Sequence, residues 1–155
     1  MQLWKLALSL AGVAALLVAC GQKKDTPQPT FANITLQAAA DVNPDVDGRP
    51  SPIVVRVYYL TALDAFRGAD FFALFEQDEA ILADKLVNKE ELQLAVGEQR
   101  SFTRPLNDRV RYIGFLGAYR DIEQARWRAT VEILPNRTTP LVVDFARTAV
   151  SVTVR

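Results

Sequence analysis

The 155-residue chain sets 18 Lys and Arg against 18 Asp and Glu, for a net charge of zero, and contains no histidine and one cysteine. Neutrality leaves no overall electrostatic footprint for nucleic acid or an anionic surface. The missing histidine excludes Ser-His-Asp and Cys-His catalysis and His-ligated zinc, and a lone cysteine excludes an intrachain disulfide.

The N-terminus carries one cation, Lys5, followed by an apolar run from Leu6 to Val18 that only Ser9 and Gly12 interrupt. This is signal-peptide composition, too short for a spanning helix of about 20 apolar residues. The run closes on Leu17-Val18-Ala19-Cys20 and gives way at once to Gly21-Gln22-Lys23-Lys24-Asp25. That pattern resembles the lipobox of bacterial lipoproteins. The resemblance implies that residues 1–19 are a cleaved leader and that Cys20 receives a diacylglycerol on its thiol and a third acyl chain on its freed amine. In that signal class an Asp after the cysteine means retention at the inner membrane; Gly21 stands there instead, which implies the outer membrane. Three chains make a stable anchor, whereas one alone binds marginally. Residues 20–30 are then a lipidated cysteine and a polar, Pro-punctuated tether with a reach on the order of 30 Å.

Residues 31–155 have the size of one domain. Phe31 to Ala40 alternates Ile34 and Leu36 with Thr35 and Gln37, which predicts a first strand. Asp41 to Pro52 gathers Pro, Gly and acidic residues and predicts a loop. Ile53 to Leu60 is β-branched and aromatic almost throughout, with only Arg56 interrupting one face, which predicts a central strand. Over about 61–83 the period lengthens to that of helices: Asp70 is placed to cap one and Asp78 another, with Phe66, Phe71, Phe72 and Phe75 expected to bury against a sheet. Further strands are predicted through Leu92–Val96, Gln99–Thr103, Arg109–Arg120, Trp127–Ile133, Leu141–Phe145 and Val150–Val154. About eight strands with a small helical insertion predict an all-β fold, a two-sheet antiparallel β-sandwich.

Few residues invite chemistry. Asn43-Pro44-Asp45-Val46-Asp47-Gly48 imitates the opening of a calcium loop, but its twelfth position is Val54 where a bidentate Glu is needed, so no metal is expected. The same segment reads better as a stiff recognition loop, because its prolines lower the entropy that binding must remove. Trp127 falls on an apolar strand face with Arg128 expected to point to water. The mixed run from Asp84 to Glu91 reads as a solvated surface. Asp41, Asp45 and Asp47 form the one acidic cluster and show no sign of burial, so no catalytic residues are assigned and the chain reads as a non-enzyme. The alternative is a carrier of a small molecule or lipid, which requires an apolar cavity.

The order of features also resembles the TssJ family, the outer-membrane lipoproteins of bacterial type VI secretion systems. The resemblance rests on Asn43-Pro44-Asp45 with Gly48-Arg49-Pro50-Ser51-Pro52 running into Ile53 to Leu60. Ala69-Asp70-Phe71-Phe72-Ala73-Leu74-Phe75 follows, then Tyr112-Ile113-Gly114, Ala118-Tyr119-Arg120-Asp121 and Ala125-Arg126-Trp127-Arg128. It implies a transthyretin-like sandwich, lipid-anchored in the inner leaflet of the outer membrane with its domain in the periplasm. It also implies that the protein is not an enzyme and takes no cofactor beyond the lipid on Cys20. As partner it implies the periplasmic domain of the inner-membrane protein TssM. The implied contact element is the loop between the first two strands, here Asn43, Pro44, Asp45, Val46, Asp47, Gly48, Arg49 and Pro50.

Overall fold

Alternating burial builds the first strand: Ala32, Ile34, Leu36 and Ala38 are buried while Asn33, Thr35 and Gln37 face outward, and the chain is extended as β1 from Thr30 to Ala38. The computed structural model describes residues 27–155, so the leader, Cys20 and the tether through residue 26 lie outside the described residues. β2 (Ile53–Leu60) leads into α1 (Asp64–Gly68) and α2 (Phe71–Leu82), then a 3-10 turn at Ala83–Lys85. β3 (Leu86–Leu94), β4 (Gln99–Leu106), β5 (Tyr112–Ala118), β6 (Arg128–Glu132), β7 (Thr138–Phe145) and β8 (Val150–Val154) complete the chain. Among the described residues the strands form two four-stranded sheets, ordered β4-β1-β7-β8 and β3-β2-β5-β6. Five of the six neighbouring pairs are antiparallel; β1 and β7 run parallel, with Ile34 opposite Leu141 and Leu36 opposite Val143.

The apolar run of β2 is explained by burial on both faces. Val55 and Val57 face the inter-sheet core with Ile34, Leu36, Phe115, Val143 and Phe145. Tyr58 and Leu60 face the helices, where Phe66, Leu74, Leu82 and Leu116 form a second cluster. Gly114 makes the helix contact possible, since a Cβ there would stand 2.7 Å from Phe66 Cζ. Asp70 caps α2 by accepting the Ala73 N–H at 2.9 Å.

Several expectations change here, each because a partner comes from elsewhere in the chain. Asp78 does not cap a second helix. Two helical stretches do meet at the non-helical Gln77 within α2, but the Asp78 side chain is buried and accepts from Tyr58 at 3.2 Å, Lys89 at 2.8 Å and Arg56 at 3.4 Å. The run from Asp84 to Glu91 is therefore more than a solvated face. Lys89 reaches Asp78, and half-buried Glu90 accepts from Arg104 at 2.7 and 2.9 Å and from the Tyr59 hydroxyl at 2.6 Å. Arg128 turns back to donate to the carbonyls of Phe66 (2.9 Å) and Ala69 (2.7 Å), satisfying the open end of α1 while its guanidinium covers the Trp127 ring at 4.4 Å. Phe72 is 58% exposed, unlike Phe66, and Phe71 instead meets the Trp127 ring edge-on. The strand expected over Arg109–Arg120 shrinks to Tyr112–Ala118, because Asn107 makes a turn by accepting the N–H groups of Arg109 and Val110. Among the described residues, no helix is long and apolar enough to cross a membrane.

Candidate functional site

β1 and β7 run side by side in one direction, so the loop after β1 and the turn after β7 emerge at the same end of the sandwich. The loop after β5 joins them there, because β5 is antiparallel to β2 and ends beside the start of β2. Asn43 knots all three segments together. Its backbone N–H donates to Arg147 O (3.0 Å), its side-chain amide donates to Pro52 O (2.8 Å), and its Oδ1 accepts the Arg120 N–H (2.7 Å). Asn43 is 4% exposed and adopts a φ of 49°, a left-handed conformation that Asn tolerates better than most residues.

The tip beyond Asn43 is stiffened from within. Asp45 accepts the N–H groups of Asp47 and Arg49, each at 2.9 Å, and the Arg49 Nε at 3.0 Å. Arg49 also reaches the Asp47 carboxylate at 2.6 Å, and Gly48 closes the turn at a φ of 80°. The Arg49 backbone N–H, with the guanidinium adding to it, holds the Asp45 carboxyl below its ordinary value of 3.8. These contacts account for the imitation of a calcium loop: the Asp45 and Asp47 oxygens serve the loop's own donors, and Asn43 Oδ1 serves Arg120. Among the described residues, no group of three metal-binding side chains is brought together.

The sequence-predicted residues thus divide. Asn43 is the buried base, Pro44 and Asp45 are half-buried walls, and Val46, Asp47, Gly48, Arg49 and Pro50 form the exposed tip. Val46 stands fully in solvent at 103%. Beside the tip lies a groove of about 640 Å³ whose far wall consists of Arg120, Asp121, Arg147 and Thr148. Sequence reading of the loop missed these four. Arg120 and Asp121 stood inside the family-like stretch Ala118–Asp121, the one signal that marked them, whereas Arg147 and Thr148 carried none. Cys20 lies outside the described residues.

Around Gly117 the sheets pack without the apolar space that a carrier needs. A Cβ at Gly117 would stand 2.9 Å from Tyr119, 3.1 Å from Ile53 and 3.2 Å from Phe145, so no room for a ligand remains at this position.

Comparison with known proteins agrees with the fold. No curated protein matches the sequence. The chain is similar to the T6SS lipoprotein TssJ1 from Pseudomonas aeruginosa, at 35% identity over 82% of this chain and 97% of that one, with a TM-score of 0.80. It is similar to a chain of a structure described as "Type VI membrane complex", at 25% identity over 83% and 99%, with a TM-score of 0.69. It shares its fold with a chain of the structure described as "T6SS protein TssM C-terminal domain (869-1107) from EAEC", at 21% identity over 81% and 97%, with a TM-score of 0.65. Residues 30–148 match the model of the T6SS-SciN family, described as type VI secretion lipoprotein, VasD, EvfM, TssJ, and the chain belongs to that family.

Proposed function

We propose that this lipoprotein is a non-catalytic anchor of the type VI membrane complex, fixed by acyl chains on Cys20 in the inner leaflet of the outer membrane and gripping the periplasmic domain of a TssM-type inner-membrane protein. The grip is the loop from Asn43 to Pro50, and residues 20–30 supply the reach. The observation that supports this reading most is the rigidity and position of that loop. Its tip is closed by internal hydrogen bonds and its base is knotted to two other segments by Asn43, so little entropy remains for a partner to remove. It also stands at the end of β1 opposite the point where the tether enters. The partner assignment draws on the family resemblance, and a chain of the same fold occurs in the structure described by its TssM C-terminal domain.

The test replaces residues 44–49 with a short Gly-Ser turn while sparing Asn43. Pull-down of a TssM periplasmic domain should be lost while the melting temperature stays within a few degrees. Undiminished pull-down would move the site elsewhere on the sandwich. Cys20→Ser should leave the soluble chain able to bind that domain but unable to support secretion; normal secretion by that variant would refute the anchor.

A further inference from the structure

Overall neutrality conceals a difference in charge between the connecting segments at the two ends of the sandwich, with Asp64 near Lys85 and Glu132 at the end of β6 adjoining the first set. At the end where β1 begins, the segments 83–85, 107–111 and 133–137 carry four cations against two carboxylates. At the opposite end, the segments 39–52, 95–98, 119–127 and 146–149 carry six carboxylates against four arginines. Of the four cations at the first end, Lys85 is paired to Asp84 at 2.8 Å. Arg109, Arg111 and Arg137 are exposed, and Asp108 is the one carboxylate within their two loops.

The point where the tether enters is fixed among these groups. Thr30 is buried and its hydroxyl accepts the Asn136 N–H at 2.9 Å, while the Phe31 N–H donates to Arg137 O at 3.0 Å. The β6–β7 turn that makes these bonds also holds Leu134, a large apolar side chain 48% exposed. A groove of about 530 Å³ runs between the entering chain and Arg111, with Pro135 and Asn136 along it. Seven residue steps separate Cys20 from Pro27, and each spans at most about 3.6 Å, so this end of the domain stays within about 25 Å of whatever holds Cys20.

We propose that the tether end of the sandwich is a membrane-facing surface, in which Arg109, Arg111 and Arg137 engage the phosphates of an anionic lipid leaflet and Leu134 enters its interfacial layer. This rests on the reading of Cys20 as the lipid anchor. The short connection confines the three guanidiniums to about 25 Å from the anchor, close enough to reach the zone within a Debye length, about 8 Å, where a cation gains from an anionic leaflet. The excess of carboxylates at the other end is repelled by the same leaflet. Together the two ends orient the sandwich with the Asn43–Pro50 loop facing away from the lipid.

The test uses the processed full-length protein reconstituted in vesicles of phosphatidylcholine with or without about 30% phosphatidylglycerol, bearing Leu134→Trp as a reporter and chain-brominated lipid as quencher. Emission of the added tryptophan should be quenched in the anionic vesicles, and quenching should fall severalfold in neutral vesicles, in high salt or in Arg109→Gln/Arg111→Gln/Arg137→Gln. An unquenched reporter, or quenching indifferent to lipid charge and to the three arginines, would overturn the proposal. Intact mass of the same protein reports acylation of Cys20 independently. A chain without acyl chains that still shows charge-dependent quenching would refute the anchor and support the surface.

Discussion

Asn43→Ala tests the knot at the candidate binding end. The substitution removes the donor to Pro52 O at 2.8 Å and the acceptor for the Arg120 N–H at 2.7 Å. Each hydrogen bond contributes about 1 kcal/mol net, and the side of the knot that stays buried adds the cost of an unpaired polar group, about 1 kcal/mol or more. Alanine must also hold a φ of 49°, a left-handed conformation that costs a residue with a Cβ about 1 kcal/mol. The sum is a loss of about 3 to 4 kcal/mol, a large share of the roughly 5 to 15 kcal/mol that stabilises a typical domain. In urea unfolding of the soluble Cys20→Ser chain, with a slope of about 2 kcal/mol per molar, the midpoint should fall by about 1.5 to 2 M. Asn43→Gly separates the causes: it accepts the backbone conformation but makes neither hydrogen bond, so it should be about 1 kcal/mol milder than alanine. A loss below about 0.5 kcal/mol in Asn43→Ala, or a glycine variant no better than alanine, would refute the reasoning. Partner binding supplies a second readout, because the loop, the β5–β6 segment and the β7–β8 turn all share Asn43.

Gly114→Ala drives a methyl group to 2.7 Å from Phe66 Cζ and should cost about 1 to 3 kcal/mol by thermal unfolding, with partial recovery when Phe66→Leu is added; a neutral Gly114→Ala would contradict the packing. The Arg104 guanidinium, with the Tyr59 hydroxyl as a lesser donor, holds the Glu90 carboxyl below its ordinary 4.5. A depressed carboxyl contributes stability that is complete above its unfolded value and is lost as pH falls through the folded one. Glu90→Gln should therefore be less stable near neutrality and show a shallower decline as pH falls below about 4.5, and parallel acid limbs in the two proteins would count against the pairing.

What the sequence revealed and what it hid follow from where each residue's partners lie. β1 was visible because one face packs on the core and one meets water, so a period of two appears in the residues themselves. β2 was visible through its apolar run, although that run alone did not show a helical layer on its outer face. The cap at Asp70 was legible because its partner is three residues on. Asp78, Arg128 and Glu90 were misread for the opposite reason. Their partners are Tyr58 and Arg56 on β2, the carbonyls of Phe66 and Ala69, and Arg104 on β4, and no local pattern records such meetings. The same holds at the candidate site. The stiff loop was written in its prolines and Gly48, while the far wall of its groove depends on the pairings of β1 with β7 and of β2 with β5, both long-range contacts.

That parallel pairing also sets the mechanics of the proposed anchor. Because β1 is the first strand and its nine residues run from the tether end toward the loop end, the chain crosses about 30 Å between its entry into the domain and the grip. If the arginines at the tether end stay on the leaflet, the loop stands about that far from the lipid. If the tether is drawn out by the partner, its reach adds about 25 Å before the covalent chain is taut. In the proposed linkage, the membrane-facing surface is a resting contact held by exposed charge and the tether a loaded one held by the backbone. Salt weakens the first without touching the second, since screening acts on the guanidinium-phosphate contacts and leaves the acyl anchor unchanged.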